Sequence, residues 1–169
     1  MVVPEHLVDP INTLQQNMFI NAPTISQTAA LKCWDDDTDE ILQQHVLKYK
    51  QSRKIILDVL LNRKLFQDTI PAKNIAPSDG GFYVYVDVGE DNVALEQNLG
   101  TVAMCETLLE EMYVAFTPGN DFEDPKSNLG NRRFRISYAG GVDTVKEAMH
   151  RFYTWWPTWI ERVREAKKM

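Results

Sequence analysis

Long apolar runs, basic stretches and an amino-terminal export signal are all missing from this 169-residue chain. No run of apolar residues reaches the length that spans a bilayer, and the first residues lack the basic-then-apolar order of a secretion signal. The net charge of −6 comes from interspersed acidic and basic residues, which excludes the positive surface of a nucleic-acid or anionic-membrane binder. We therefore expect a soluble, cytoplasmic protein that binds neither nucleic acid nor membrane.

Cysteine and histidine are also scarce. Cys33 and Cys105, the two cysteines, each lie among apolar neighbours in a helical pattern, which predicts buried free thiols and a reducing compartment. His6, His45 and His150 lie in three separate predicted helices without a nucleophile motif nearby, so spacing supports neither a catalytic triad nor a zinc site. We expect no metal.

What is present is ordinary globular composition, with 44% hydrophobic and 25% charged residues, enough for one buried core. Residues 1–4 form an apolar extended start with no polar lead-in and no obvious partner strand. This start leads us to expect a segment of a longer, truncated chain.

The first third of the chain has helical periodicity. Helices are predicted over 4–19 and over 24–34, the second beginning with a capping box formed by Thr24 and Gln27. The acidic run 35–37 is expected to be a solvated connector whose last residue, Asp37, caps the next helix, because adjacent carboxylates splay apart and bind metals poorly.

The next stretch, 38–66, contains neither Gly nor Pro and predicts one long helix of the kind that bridges two domains. Later periodicities and turn residues predict a strand over 82–88, a helix over 101–112, a short strand over 113–116, a loop over 117–131, a strand over 133–138 and a helix over 142–152 that Pro157 separates from a last amphipathic segment. This order predicts an α+β fold: a small carboxyl-terminal domain with a few-stranded sheet and flanking helices, preceded by helices that need another body to pack on.

Four segments carry a resemblance to a known family. They are residues 21–31 (NAPTISQTAAL), 80–87 (GGFYVYVD), 114–122 (VAFTPGNDF) and 134–139 (FRISYA). In this order and spacing, from residue 1 to about 153, they resemble the class I and II aminotransferases, the aspartate aminotransferase-like group of fold-type I pyridoxal-phosphate-dependent enzymes.

The resemblance implies a homodimeric two-domain enzyme that uses pyridoxal 5'-phosphate to transfer an amino group between an amino acid and a 2-oxo acid. Residues 1–37 would end the large cofactor-binding domain, 38–66 would form the interdomain helix and 67–169 the small domain. The chain would begin just after the lysine that holds the cofactor.

The resemblance also assigns candidate site residues. Arg135 would bind the substrate α-carboxylate, which suits a planar guanidinium able to form two parallel hydrogen bonds. Phe82 would be a wall of the active site or, equally, a core residue. Asn21 would reach the partner subunit's active site, or would simply be a turn residue at a helix entry. Arg132 and Arg133 match no family role and are expected to be solvated charges.

Two departures from the family pattern limit these expectations. Residues 11–20 contain no Arg or Lys, so the recognition of a second substrate carboxylate used by the dicarboxylate-specific subgroup is not expected. No lysine lies in the family's cofactor-lysine motif, so we expect no catalytic residue here and no activity from this chain alone. A same-fold pyridoxal-phosphate lyase and a non-catalytic interaction or regulatory module remain alternatives.

Overall fold

The computed structural model describes residues 2–169, and the backbone contacts divide the chain into two units, Met1–His45 and Val46–Met169. The domain bounds 1–37, 38–66 and 67–169 remain predictions, because they mark roles in a whole enzyme.

The first unit is helical. A 3₁₀ turn, Glu5–Leu7, leads into helix α1, Val8–Met18, and helix α2, Thr24–Leu31, continues into a second turn, Lys32–Trp34. Helix α3, Asp36–Asn62, begins in this unit.

The predicted capping box at the start of α2 is wrong. Pro23 precedes the helix and no side chain caps it, because Thr24 already lies inside the first turn. Gln27 instead donates its amide N–H to the carbonyl of Ala22, at 2.7 Å. The predicted cap at Asp37 is wrong for the same reason, since α3 begins one residue earlier.

No residue from 2 to 45 is buried, although many are apolar. Phe19, Ile25 and Trp34 expose 68%, 86% and 87% of their surface. Cys33 is exposed, so its predicted burial is wrong, whereas Cys105 in the second unit is buried as predicted; both are free thiols. The expectation that these helices lack a core of their own agrees with this exposure.

Helix α3 ends at Asn62, four residues before the predicted bound. Arg63 is extended, with φ −88° and ψ 123°, and a short helix α4, Lys64–Gln67, follows. The break lets Phe66 turn fully into the core, where its ring lies 5.2 Å from that of Phe152. Burying an aromatic side chain is worth roughly 3 kcal/mol, which outweighs a few helical hydrogen bonds.

The second unit contains one antiparallel sheet of three strands in the order β1-β3-β2. The strands are β1, Tyr83–Asp87, β2, Thr117–Pro118, and β3, Arg133–Ser137. The strand predicted at 113–116 is wrong, because Tyr113 adopts a left-handed conformation that ends the preceding helix, and pairing starts only at Thr117.

Helix α5, Thr101–Met112, has the predicted bounds. Met104, Cys105 and Leu108 are buried, whereas Val102 and Leu109 are 39% and 48% exposed. The buried hydroxyl of Thr101 donates to the carbonyl of Gly130 at 2.8 Å, which fixes the rotation of the helix.

Helix α6, Val142–Ala166, continues through Pro157, so the predicted separation there is wrong. A proline inside a helix costs about 3 kcal/mol. Trp156 and Trp159 are fully buried on the opposite face and donate their indole N–H groups to Thr69 and Asn92. Each buried indole contributes roughly 3–5 kcal/mol, more than the proline costs. Between residues 2 and 169 no helix combines the length and apolar character needed to cross a bilayer.

Candidate anion-binding site

The outward face of the sheet carries the polar residues of two strands. The inward face of the two strands is buried in the core and consists of Val84, Val86, Phe134 and Ile136. The cross-strand register pairs Tyr85 with Arg135 and Asp87 with Arg133, which places these side chains on the opposite face. We call the set Tyr83, Tyr85, Asp87, Arg133 and Arg135 the polar face.

Arg135 lies on the polar face between aromatic groups rather than carboxylates. Its Cζ atom is 4.0 Å from the centre of the Tyr83 ring and 4.1 Å from the centre of the Phe122 ring. Its Nε atom is buried and has no hydrogen-bond partner among residues 2–169, and no ion pair to Arg135 forms within the same range. The guanidinium therefore has N–H donors that are available to a group from outside the described chain.

The neighbouring arginines are paired instead. Arg133 donates to Asp87 at 3.1 Å and to Glu123 at 2.8 Å, and Arg132 donates to the same oxygen of Asp87 at 3.1 Å. The hydrogen bond with Glu123 raises the pKa of Arg133 above its ordinary value. The interpretation of Arg132 and Arg133 as solvated charges is therefore wrong, because a strand-edge aspartate and a loop glutamate neutralise them.

Glu123 connects this ion-pair cluster to Tyr85. The phenol of Tyr85 donates to Oε1 of Glu123 at 2.9 Å, on the same oxygen that accepts from Arg133. Burial, followed by this hydrogen bond, raises the pKa of Tyr85 to about 12, so the phenol keeps its proton at neutral pH. The hydrogen bond from Arg133 lowers the pKa of Glu123, so the carboxylate stays ionised.

Gly119 brings the loop that carries Phe122 and Glu123 onto strand β3. A Cβ at this position would lie 2.7 Å from the carbonyl oxygen of Arg133 and 2.8 Å from that of Gly130. Only glycine permits so close an approach of two backbones. The amides of Phe122 and Glu123 then both donate to the carbonyl of Gly119, at 2.9 and 3.0 Å.

Phe82 precedes β1 and is 37% exposed, so it does not pack in the core as one interpretation allowed. Its ring lies 4.3 Å from that of Tyr83, which in turn contacts Arg135. Phe82 and Arg135 thus belong to one aromatic and cationic group, with Tyr83 between them.

The loop before Phe82 is hydrogen-bonded to helix α3 and to the residue that follows β3. Arg53 donates to the hydroxyl of Ser78 at 2.9 Å and to the carboxylate of Asp79 at 2.8 Å. The phenol of Tyr138 donates to the carbonyl of Gly81 at 3.2 Å. These bonds fix the turn at which Gly81 takes φ +68° and delivers Phe82.

Asn21 lies in the first unit, in the turn between α1 and α2. It is exposed, its backbone amide donates to the carbonyl of Phe19 at 2.7 Å, and it follows Ile20, whose φ is +64°. This geometry suits the turn-residue interpretation, and a role toward a partner subunit stays a prediction.

The residues present do not fit pyridoxal phosphate. All ten lysines are exposed, on helix surfaces and in loops. Among residues 2–169 no group of His, Cys, Asp or Glu side chains could hold a metal ion. The site as built is suited to hold one anion on Arg135, and no chemical step through a cofactor follows from it.

Sequence reasoning missed Tyr83, Phe122 and Glu123. Phe122 ends one of the four resembling segments, and Tyr83 lies in another. Their contacts with Arg135 depend on how the loop after β2 folds back over the sheet, which periodicity does not report.

The profile of the family "Aminotransferase class I and II" matches residues 1–152. The chain is 31% identical over 158 residues to the valine–pyruvate aminotransferase of Mycobacterium tuberculosis, covering 94% of the chain and 37% of that protein. It is also 31% identical over 147 residues to the (5-formylfuran-3-yl)methyl phosphate transaminase of Methanocaldococcus jannaschii, covering 87% and 34%.

The fold is similar to that of a crystal structure of an aminotransferase from Mycobacterium tuberculosis. The TM-score is 0.73 at 31% identity, over 92% of the chain and 36% of the solved chain. The chain therefore spans about a third of the length of the relatives it matches, 34% and 37% for the two curated ones.

Proposed function

The chain belongs to the class I and II aminotransferases, and we propose that it supplies the substrate-carboxylate grip of an enzyme that transfers an amino group between an amino acid and a 2-oxo acid. The family resemblance based on four segments is confirmed, as is the α+β fold class of this pyridoxal-phosphate-dependent transferase superfamily. Which reaction the whole protein performs belongs to the proposal.

The observation that carries the proposal is the guanidinium of Arg135, which has no ion-pair partner among residues 2–169. An arginine that is only structural normally pairs with a carboxylate, as Arg133 does two residues away. Arg135 instead lies against two rings with a buried, partnerless Nε. A substrate carboxylate would accept two parallel hydrogen bonds from it and satisfy the charge.

The aromatic rings around Arg135 would form one wall of the substrate site. Phe82 is exposed and touches Tyr83, so in the proposed site it would shield the bound carboxylate from water on one side. Excluding water strengthens the ion pair between arginine and carboxylate. Asn21 would serve a neighbouring active site in a homodimer, a role for which its exposure is suitable.

Pyridoxal 5'-phosphate would be the cofactor of the whole enzyme, where it supplies the electron sink for amino transfer. This chain would orient the substrate, which can lower a barrier by roughly 7–11 kcal/mol in favourable cases. Because all ten of its lysines are exposed and none lies in the family's cofactor-lysine motif, it would not hold the cofactor by itself.

The amino donor is proposed to have no second carboxylate held by the chain's first helix, because residues 11–20 contain no Arg or Lys. A same-fold lyase would use the same grip, but the relatives' names describe amino transfer. No observation specifically favours a non-catalytic module.

The proposal is tested by titrating the isotope-labelled 169-residue chain with pyruvate, a 2-oxo acid, and following the Arg135 side-chain N–H resonances by NMR. Pyruvamide, which lacks the carboxylate, is the matched ligand control. We expect pyruvate to shift the Arg135 resonances in a saturable way and pyruvamide to leave them unchanged, because only the carboxylate can pair with the guanidinium.

Two conservative variants distinguish this site from general anion binding. Arg135→Lys should weaken pyruvate binding by roughly tenfold, about 1.4 kcal/mol, because an ammonium group cannot form the two parallel bonds. Arg162→Lys should change the affinity by less than about twofold, since that arginine pairs with Glu111 at another place in the fold. Equal affinity in the native chain and in Arg135→Lys would contradict the grip.

The missing cofactor lysine has its own test. Purified chain mixed with stoichiometric pyridoxal phosphate is expected to show no stable visible absorbance that depends on a single lysine. A band that one Lys→Ala substitution abolishes would show that the chain holds the cofactor after all.

A further inference from the structure

We propose that Glu123 is a positioning residue that holds the ring of Phe122 against the guanidinium of Arg135. The placement of the ring stands on the geometry of the second unit alone. Its consequence for substrate binding rests on the proposed function.

The side chain of Glu123 is the anchor. One of its oxygens accepts hydrogen bonds from Arg133 at 2.8 Å and from Tyr85 at 2.9 Å, and the side chain is only 19% exposed. Both donors lie on strands of the sheet, whereas Glu123 lies on the loop. Charge-assisted hydrogen bonds of this kind are shorter and stronger than neutral ones, so they can fix a loop residue to a rigid element.

Phe122 is the neighbour that this anchor places. Its ring centre is 4.1 Å from Cζ of Arg135, and its edge faces the ring of Tyr85 at 6.3 Å and an interplanar angle of 85°. Phe122 is 47% exposed, so burial of its own surface provides only part of the hold. Its position therefore depends on the residues on either side of it.

Those flanking residues are fixed at both ends of one short turn. At the start, Gly119 packs directly on the backbone of Arg133, and at the end Glu123 bonds to the side chain of the same arginine. Phe122 is carried between these two attachments to β3. Through its hydrogen bond to Glu123, Arg133 therefore helps to hold the Phe122 ring against Arg135.

A ring over Arg135 restricts how a carboxylate can bind. Tyr83 and Phe122 occupy space against the guanidinium, and the Nε atom is buried. The open donors are those of the terminal Nη atoms, so a carboxylate must approach end-on in the plane of the guanidinium. Loss of the Phe122 ring would admit water to the guanidinium and weaken this selection.

The direct measurement is the resonance of the Arg135 Nε–H group in the native chain and in Glu123→Gln. Ring currents from two adjacent aromatic rings displace this resonance, and Phe122→Leu calibrates the part that Phe122 contributes. We expect Glu123→Gln to reproduce most of that Phe122→Leu change. Glu161→Gln, the same substitution at an exposed position of α6, should leave the resonance unchanged.

Asp87→Asn distinguishes a positioning role of Glu123 from a general loss of stability. It weakens the other ion pair of Arg133 while Glu123 remains in place. This variant should lower stability without moving the Arg135 resonance. Should Glu123→Gln fail to fold, Tyr85→Phe carries the test, because it removes one of the two bonds to Glu123 and should produce a smaller change in the same direction.

The binding arm uses pyruvate. We expect Glu123→Gln to weaken its affinity several-fold relative to Glu161→Gln. An Arg135 resonance that does not respond to Glu123→Gln or Tyr85→Phe overturns the inference, whatever the affinity. A resonance that does respond, in a chain whose native form binds no pyruvate, upholds the positioning of Phe122 and contradicts the proposed function instead.

Discussion

Arg133 and Arg135 project from the same face of the same strand, two residues apart, and yet their surroundings are opposite. Arg133 lies in an ion-pair cluster with Asp87 and Glu123. Arg135 lies against the rings of Tyr83 and Phe122 and leaves its Nε without a partner among residues 2–169. We refer to these two regions as the paired end and the open end of the polar face.

The difference separates stability from binding capacity. A guanidinium with carboxylate partners stabilises the fold and has little left to offer a ligand. A guanidinium without carboxylate partners still has terminal N–H donors that it can offer to a ligand. In the proposed function, the open end would bind the ligand and the paired end would support it.

The largest effect on stability is expected at Gly119, because this residue lets the loop that contacts both ends pack on β3. Gly119→Ala would place a Cβ 2.7 Å from the carbonyl oxygen of Arg133, a backbone atom that cannot turn away. We expect the free energy of unfolding to fall by about 3 kcal/mol, measured by urea denaturation.

Gly140→Ala is the matched control for that substitution. Its Cβ would meet only the side chain of Val145, at 4.0 Å. We expect a change within about 0.5 kcal/mol. If the two variants unfold at the same urea concentration, the close contact between the loop and β3 is not what holds the two ends together.

The paired end is expected to show the next largest effect. Asp87→Ala removes the acceptor shared by Arg132 and Arg133 and also the carboxylate that accepts from the amide of Gly89 at 2.9 Å. Because Asp87 is only 15% exposed, we expect a loss of about 2 kcal/mol by the same measurement. Glu161→Ala, at an exposed position of α6, serves as the control.

At the open end, a substitution of the arginine should leave the stability almost unchanged. Arg135→Met removes a charge and a buried Nε that have no partner among the described residues, but it keeps a side chain long enough to pack between the rings. We expect a change in unfolding free energy of less than about 0.5 kcal/mol, together with loss of pyruvate binding. A destabilisation as large as that of Asp87→Ala would remove the distinction between the two ends.

The local sequence pattern was sufficient to predict several of the elements around the two arginines. The bounds of α5 and the alternation of β3 followed from periodicity, and Arg135 was singled out by the motif around it. A strand that alternates apolar and charged residues leaves little choice of which face is buried. The charged face was therefore correct, although periodicity alone did not distinguish its two arginines.

What distinguishes those arginines is distant in sequence or hidden in loops. Asp87 precedes Arg133 by 46 residues, and the position of Glu123 depends on the close approach of Gly119 to β3. Neither contact leaves a periodic signal. The uninterrupted helix through Pro157 was missed for a similar reason, because tertiary burial of Trp156 and Trp159 outweighs a local helix-breaking preference.

The smallest expected effect is a pH dependence that belongs to the paired end alone. The hydrogen bond from Arg133 lowers the pKa of Glu123 below its ordinary value of 4.5. A carboxyl group whose pKa is lower in the folded state stabilises the fold above its unfolded pKa, and this contribution is lost as the pH falls through the folded pKa. We therefore expect the free energy of unfolding of Glu123→Gln to fall less than that of the native chain when the pH is lowered below 4.5. The measurement is the slope of unfolding free energy against pH.

Two variants define the origin of that slope. Glu111→Gln should remove a separate part of it, because a hydrogen bond from Arg162 lowers the pKa of Glu111 in the same way at another place in the fold. Arg135→Met should leave the slope unchanged, since no carboxylate among residues 2–169 pairs with Arg135. An acid dependence that Arg135→Met alters as much as Glu123→Gln would mean that the open end is coupled to the ion-pair cluster by charge, and not only through the position of Phe122.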